Sequence, residues 1–331
     1  MAISQAAANV CKAHNHTTNH REMKDSGKKK GIPLSGTDCI IKPDVSLSSY
    51  TSYRVGGPAE WYVAPRSLES LQASVEYAKQ NELPITVLGA GSNLLISDKG
   101  IPGLVIATRH MRHADFDDKT GMVTFAAGES IPGLAWAAAE HGWEGFEWAV
   151  GIPGTIGGAV VMNAGAHNSC IADILVSAEV LSPDGTLQTL NREQLNYSYR
   201  TSVLQGSNLI VTQATLQLQP GSVPAEVTAR TKEHKKHRLA TQPYHLPSCG
   251  SVFRNPKPHS AGRLIEETGL KGFQIGQAQV AQLHANFIVN CGGARANDIF
   301  NLIRYVQDKV QQRWSIGLHP EVKMLGDFQV A

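Results

Sequence analysis

Residues 151 to 166 read GIPGTIGGAVVMNAGA, five glycines in sixteen positions with no charged side chain among them. An ordinary turn uses one or two glycines. A run this dense in an apolar setting means that the backbone passes very close to something, because glycine lets a chain approach without a side chain in the way. That neighbour is either a flat or phosphorylated ligand or another element packed tightly against the chain. A second glycine loop, GAGSN at Gly89 to Asn93, follows the apolar run ITVL. Successive amides in such a loop can form an anion-binding nest. The dinucleotide fingerprint G-x-G-x-x-G requires a third glycine and a helix after the loop. Leu94 holds that third position and LLIS reads as a strand, so a Rossmann site is excluded. A ligand nest and a tight hairpin both remain open.

Composition narrows the class. Apolar residues make up 42% of the 331-residue chain and charged residues 18%, the proportions of a soluble globular protein of two or three domains. A net charge of +2 gives no reason to expect nucleic acid or anionic lipid as a partner. No apolar run reaches the roughly 18 residues of a spanning helix. The first stretch, MAISQAAANVCKAHNHTTNHREMKDSGKKKG, has no signal-peptide core and too few large apolar residues to fold. It is expected to be a disordered tail over residues 1–37, in which His14, His16 and His20 are read as tail residues and not as metal ligands. The five cysteines are scattered and never spaced CxxC, which suggests reduced thiols, no metal site and a cytoplasmic location.

The order of elements indicates a mixed α+β chain without sustained βαβ alternation. Ser67 starts a helix with Leu68, Leu71, Val75 and Ala78 on one face, closed by Pro84. ITVL, LLIS, GLVIAT and MVTFAAG read as strands, and IPGLAWAAAEHG as a short helix. LVSAEVLSPDGTLQTL reads as two strands about a Pro-Asp-Gly turn. IVTQATLQLQP places Ala214, Leu216 and Leu218 on one face. Pro220 and Gly221 then mark a boundary, after which the charged helix PAEVTARTKEHKKHRLAT is expected to open the last domain. A final helix carries Ile299, Leu302, Ile303, Val306 and Val310 as its buried stripe. The expected divisions are 38–108, 109–221 and 222–331.

PSCGSVFRNP, residues 247 to 256, centres on Ser251. A nucleophile elbow needs glycine two residues to either side. Cys249 and Phe253 occupy those positions, so an acyl-enzyme is not expected. A serine there can be a proton donor or a turn residue bonded to nearby backbone.

Six stretches, LSSYTSYRVGGPAEW, VLGAGSNLLIS, GIPGTIGGAVVMNAGA, YSYRTSVL, GSVFRNP and HPEV, occur in the order found in the UDP-N-acetylenolpyruvoylglucosamine reductase family. The resemblance runs from about Val45 to the C-terminus. It implies an FAD-binding fold of the para-cresol methylhydroxylase type, built of two α+β subdomains, followed by a C-terminal α+β substrate domain. That last domain looks like the shorter of the family's two types, so no inserted tyrosine clamp is carried over. By resemblance the flavin would meet Tyr53, Arg54, Val55 and Gly56, the loop Gly89, Ala90, Gly91, Ser92 and Asn93, and the segment holding Gly151, Pro153, Gly154, Thr155, Gly157, Gly158, Asn163 and Gly165. Ser92 stands where relatives with covalent flavin often carry histidine, which implies non-covalent FAD.

The implied reaction uses NADPH to reduce an enol ether conjugated to a carboxylate, on a UDP-sugar. Hydride at the terminal vinyl carbon drives charge into the carboxylate, so the site needs a group to hold the enolate and a proton for the adjacent carbon. Arg200, Glu321 and Ser251 match the family's arginine, glutamate and proton donor. Tyr199, Arg200, Tyr244 and Asn255 are the expected substrate contacts. Gly250 is expected to remove bulk so that the serine hydroxyl can approach the substrate. A flavin oxidase of the same fold and a non-catalytic nucleotide-binding module are the competing classes. A monomer is expected.

Overall fold

The computed structural model describes residues 30–328, and His14, His16 and His20 lie outside them. The first sheet has the order β1-β2-β3-β6-β4, with β1 (Ile32–Pro33), β2 (Ile40–Ser46), β3 (Pro58–Val63), β4 (Ile85–Leu88) and β6 (Ile101–Ala107). β6 is parallel to both β3 and β4, and the other pairings are antiparallel. Its residues face alternately two ways. Leu104 and Ile106 join one apolar cluster with Leu71, Val75 and Ala78 of α1 (Leu68–Gln80), while Val105 and Ala107 join a second with Leu47 and Leu88. Both faces of the strand are therefore covered, as its unbroken apolar run requires. Ser67 caps α1 by accepting the Ser70 amide at 3.2 Å.

The expected tail runs too far. Ile32 and Pro33 pair with Ile41 and Ile40, and Leu34 is buried in the first cluster. The fold thus includes residues 32–34, held by an edge strand too short to carry an alternation signal. A chain starting at Thr37 should unfold with about 2 to 5 kcal/mol less stability than one starting at Gly31, the range for losing a buried leucine. Denaturant titration measures the difference, and equal midpoints would show that the segment adds nothing.

GAGSN is no hairpin. β5 (Leu94–Ile96) leaves the first sheet and pairs in parallel with β17 (Lys323–Leu325), so the loop joins two different sheets. The second large sheet, order β12-β11-β13-β8-β7, is antiparallel throughout: β7 (Ala114–Asp117), β8 (Met122–Ala126), β11 (Leu175–Leu181), β12 (Leu187–Asn191) and β13 (Ile210–Gln217). Phe125, Ala178, Ala214 and Leu216 face a cluster completed by α2 (Ile131–Glu140) and α3 (Ile156–Met162). After α3 come the small hairpin β9 (Gly165–Ala166) with β10 (Ser169–Cys170) and the turn α4 (Ile171–Ile174).

The charged helix α5 (Pro224–Thr241) does not open the last domain. It packs on α2 and on the 3₁₀ turn Glu147–Gly151, with Arg230 paired to Glu144 at 2.6 Å and Glu147 at 3.3 Å. Only Val227 and Thr231 of this helix are buried, so its sequence says little about where it docks. The C-terminal part follows it: α6 (Ala261–Glu267), the antiparallel sheet β14 (Gln274–Ile275), β15 (Ala278–Val280) and β16 (Ile288–Asn290), and α7 (Ala296–Trp314). All five stripe residues of α7 are buried, in a cluster that also takes in Tyr53, Val55 and Leu95. No helix among the described residues is long and apolar enough to cross a membrane.

Candidate active site

A cavity of about 1170 Å³ is walled by the two glycine segments, by Arg200 and by the segments that carry Ser251 and Glu321. Gly89 to Asn93 line it, as do Pro153, Gly154, Thr155, Gly157, Gly158 and Gly165. Gly91 has φ +64°, and a Cβ there would stand 2.0 Å from the Tyr50 carbonyl oxygen, so only glycine fits. A Cβ at Gly89 would fall 2.6 Å from Thr155 Oγ1, which is how the two loops come close enough to share one ligand. Thr155 Oγ1 is itself buried with no hydrogen-bond partner. An orphan hydroxyl between two side-chain-free loops suits a polar ligand threaded between them, and the diphosphate of a dinucleotide such as FAD meets that description. The tight-packing reading holds as well at three positions: a Cβ on Gly157 would sit 2.9 Å from Ala127 Cβ, just past the end of β8, one on Gly165 would strike the Ser169 carbonyl, and one on Gly151 the Arg238 side chain.

Other expected flavin contacts are placed behind the walls. Tyr53 is fully buried and Val55 nearly so, in the C-terminal core. Neither they nor Arg54 and Gly56 line the cavity. Their segment supports the loop from behind, where the adjoining Ser52 amide donates to the Gly91 carbonyl at 3.1 Å. Gly151 is covered by the Arg238 side chain. Asn163, buried with φ +44°, donates to the Ser198 carbonyl at 3.0 Å and accepts the Ala172 amide at 3.0 Å.

Asn163 instead helps to hold Arg200. The guanidinium donates from Nη1 to the Asn163 carbonyl at 3.4 Å, from Nη2 to the Gly165 carbonyl at 2.6 Å and from Nε to Glu321 Oε1 at 2.9 Å. The backbone at Arg200 has φ +56°, a left-handed conformation costly for a side chain of this size. Its carbonyl is gripped by Gln205 Nε2 at 2.9 Å and Arg254 Nη2 at 3.0 Å, which holds the strained geometry. Burial raises the Glu321 carboxyl above the usual range, and the Arg200 and Arg254 guanidinium groups pull it only part of the way back.

Ser251 is positioned by extended segments on either side. It bridges antiparallel to Phe287, and the next amide, Val252, donates to the Asn286 carbonyl at 2.8 Å. Asn286 also grips the Phe253 backbone twice, accepting its amide at 3.0 Å and donating to its carbonyl at 2.8 Å. On the other side the Glu321 amide donates to the Val252 carbonyl at 2.7 Å, and Asn93 Nδ2 donates to the Glu321 carbonyl at 3.1 Å. The glutamate is thus hydrogen-bonded to the residue that follows the serine, and both Ser251 and Glu321 line the cavity. Gly250 lines the cavity with φ +75°, a backbone conformation that demands glycine, and a Cβ there would meet no protein atom within 4 Å.

Of the expected substrate contacts, Tyr199 and Asn255 line the cavity and Tyr244 does not. Tyr199 lies beneath the Arg200 guanidinium, 5.1 Å from ring centroid to Cζ. Asn255 Oδ1 accepts the Ala261 amide at 3.0 Å, and Tyr244 donates its hydroxyl to the Gly151 carbonyl at 2.7 Å. Sequence reasoning overlooked Arg254, Asn286 and Lys323. Lys323 lies two residues beyond Glu321 in an extended segment, so the period of two could have flagged it. It donates to Gln205 Oε1 at 2.9 Å, and burial lowers its pKa. Asn286 is a buried polar residue inside the apolar run ANFIV, a signal available from the sequence.

Comparison with known proteins agrees with this geometry. The family profile described as UDP-N-acetylenolpyruvoylglucosamine reductase, C-terminal domain, matches residues 242–325, and an FAD binding domain profile matches residues 59–191. The UDP-N-acetylenolpyruvoylglucosamine reductase of Nostoc punctiforme is 71% identical over the whole of both chains, and that of a Nostoc sp. is 68% identical over the same span. The chain belongs to the UDP-N-acetylenolpyruvoylglucosamine reductase family. The crystal structure of that enzyme from Thermus caldophilus superposes with a TM-score of 0.73 at 37% identity, covering 86% of this chain and 99% of the other. The fold is accordingly an FAD-binding fold of the para-cresol methylhydroxylase type with a C-terminal α+β domain. The C-terminal profile begins at residue 242, where α5 has ended, in keeping with the docking of that helix on the preceding elements.

Proposed function

We propose that this protein reduces UDP-N-acetylglucosamine enolpyruvate to UDP-N-acetylmuramate with NADPH, through non-covalent FAD, in the cytoplasmic synthesis of peptidoglycan precursors. The observation that carries this is the convergence of Arg200, Ser251 and Glu321 on one cavity, opposite two glycine segments suited to a dinucleotide. FAD, when bound, supplies hydride storage between NADPH and the enol ether.

The protein groups do the rest. Arg200 presents a fixed guanidinium at the place where the substrate carboxylate gathers charge as its vinyl carbon accepts hydride. Glu321, held protonated to a higher pH than an exposed glutamate, shares a proton in that same cluster. Ser251 gives its hydroxyl proton to the carbon next to the carboxylate and so fixes the stereochemistry, and solvent replaces the proton afterwards. Serine is a poor acid in water, and a neighbouring carboxyl with a raised pKa is the partner it requires.

Anaerobic NADPH should bleach the flavin band, and the enolpyruvyl sugar should restore it rapidly. Restoration by oxygen alone, with none by the sugar, would make the protein an oxidase. No bleaching and no turnover would leave a nucleotide-binding module. Because Ser92 stands in the loop where covalent relatives often carry histidine, acid should release the FAD intact, and flavin left on the denatured chain would contradict that part of the reading.

A further inference from the structure

The cavity carries more positive charge than the reaction consumes. The charged side chains in its lining are Lys79, Arg200, Arg238, Lys323 and one carboxylate, Glu321. Arg200 is engaged by that carboxylate and Lys323 by Gln205. Among the described residues Arg238 meets only neutral acceptors: Nη2 donates to Gln242 Oε1 at 3.0 Å and Nε to the Tyr244 hydroxyl oxygen at 3.1 Å. Three of its five N–H donors are left over.

The place is built for this side chain. A Cβ on Gly151 would fall 2.1 Å from Arg238 Cδ, so the glycine admits the arginine stem. The Tyr244 hydroxyl ties the same Gly151 carbonyl at 2.7 Å, which closes a latch of arginine, tyrosine and glycine at the cavity wall. Beside it His167, in the turn between β9 and β10, sets its ring 4.3 Å from that of His234, tilted at 50°, and 5.6 Å from that of His237, edge to face, both on α5. The acids that α5 does engage, Glu144 and Glu147, are taken by Arg230. A fixed planar fork whose charge meets no carboxylate among the described residues matches a phosphate group better than any neutral ligand.

We propose that Arg238 is a binding residue for a phosphate of the nucleotides that enter and leave this cavity. This rests on the functional reading above, in which NADPH and a UDP-sugar take turns. Both carry a diphosphate, and NADPH carries a 2′-phosphate as well.

The FAD-loaded protein is titrated with NADP⁺, NAD⁺ and UDP, following the perturbation of the flavin absorbance. Arg238→Met keeps an unbranched stem over Gly151 and removes the fork. It should weaken at least one phosphate-bearing probe by about 10- to 100-fold, the cost of losing charge-assisted hydrogen bonds. Arg238→Lys, which restores the charge without the fork, should recover part of the loss. Weaker NADP⁺ with unchanged NAD⁺ assigns the 2′-phosphate, and weaker UDP and NAD⁺ assign the diphosphate. Unchanged affinity for all three probes, loss of FAD from the variant, or a wild-type protein that none of them perturbs overturns the proposal. The titration needs no turnover, so a wild-type protein that fails to reoxidise with the enolpyruvyl sugar defeats the functional reading without deciding this one.

Discussion

Replacing Ser251 by alanine should leave flavin reduction by NADPH nearly intact and slow reoxidation by the enolpyruvyl sugar by about 10²- to 10⁴-fold, the range for losing a general acid. The asymmetry follows from where the proton is used. Nothing in hydride transfer from NADPH requires a protein proton at the carbon that Ser251 faces, whereas the second half-reaction cannot finish without one. The segment should survive the substitution, because it is held by backbone bonds from Val252 to Asn286 and from Glu321 to Val252, and by the Asn286 grip on Phe253. Ser251→Cys keeps a transferable proton and should recover part of the loss. Rapid-mixing absorbance at the flavin band separates the two halves. Equal slowing of both would make Ser251 a structural residue, and an unaffected second half would give the proton to another group.

What the sequence made legible depended on how local each signal was. The α7 stripe and the alternation in β13 are periodic over one element, and both were readable from spacing alone. The three reacting residues, 51 and 70 positions apart along the chain, were readable only through the family resemblance of their short motifs. No spacing could have joined them, because the loop segments that bring them together bond to one another across the molecule. The same limit hid the parallel pairing of β5 with β17, between residues 94 and 323. The docking of α5 was hidden for another reason. Its contact rests on two small buried side chains and on ion pairs to Glu144 and Glu147, none of which makes a hydrophobic stripe. Glycines were the hardest to read, since crowding at Gly91 and backbone twist at Gly250 leave the same letter.

Arg200→Lys should cost the second half-reaction about 10²- to 10³-fold, the scale for removing one preorganised donor from a developing negative charge. Lysine keeps the charge but is a single point. It cannot reach Glu321 and the carbonyls of Asn163 and Gly165 together, and it inherits a left-handed backbone at φ +56° with fewer contacts to hold it. The pH profile distinguishes this role from a merely structural one. Burial raises the Glu321 pKa and Arg200 lowers it. If the reaction uses Glu321 in its protonated form, the rate of reoxidation falls as pH rises through that raised pKa, in a range above that of an exposed glutamate. Removing the cation altogether, as in Arg200→Met, takes away the lowering influence, so the falling limb should move to higher pH even as the maximal rate drops. Glu321→Gln, which has no proton to lose there, should abolish the limb. A falling limb that stays in place in Arg200→Met, or that persists in Glu321→Gln, would show that some other group titrates. Glu321 would then serve only to hold the arginine.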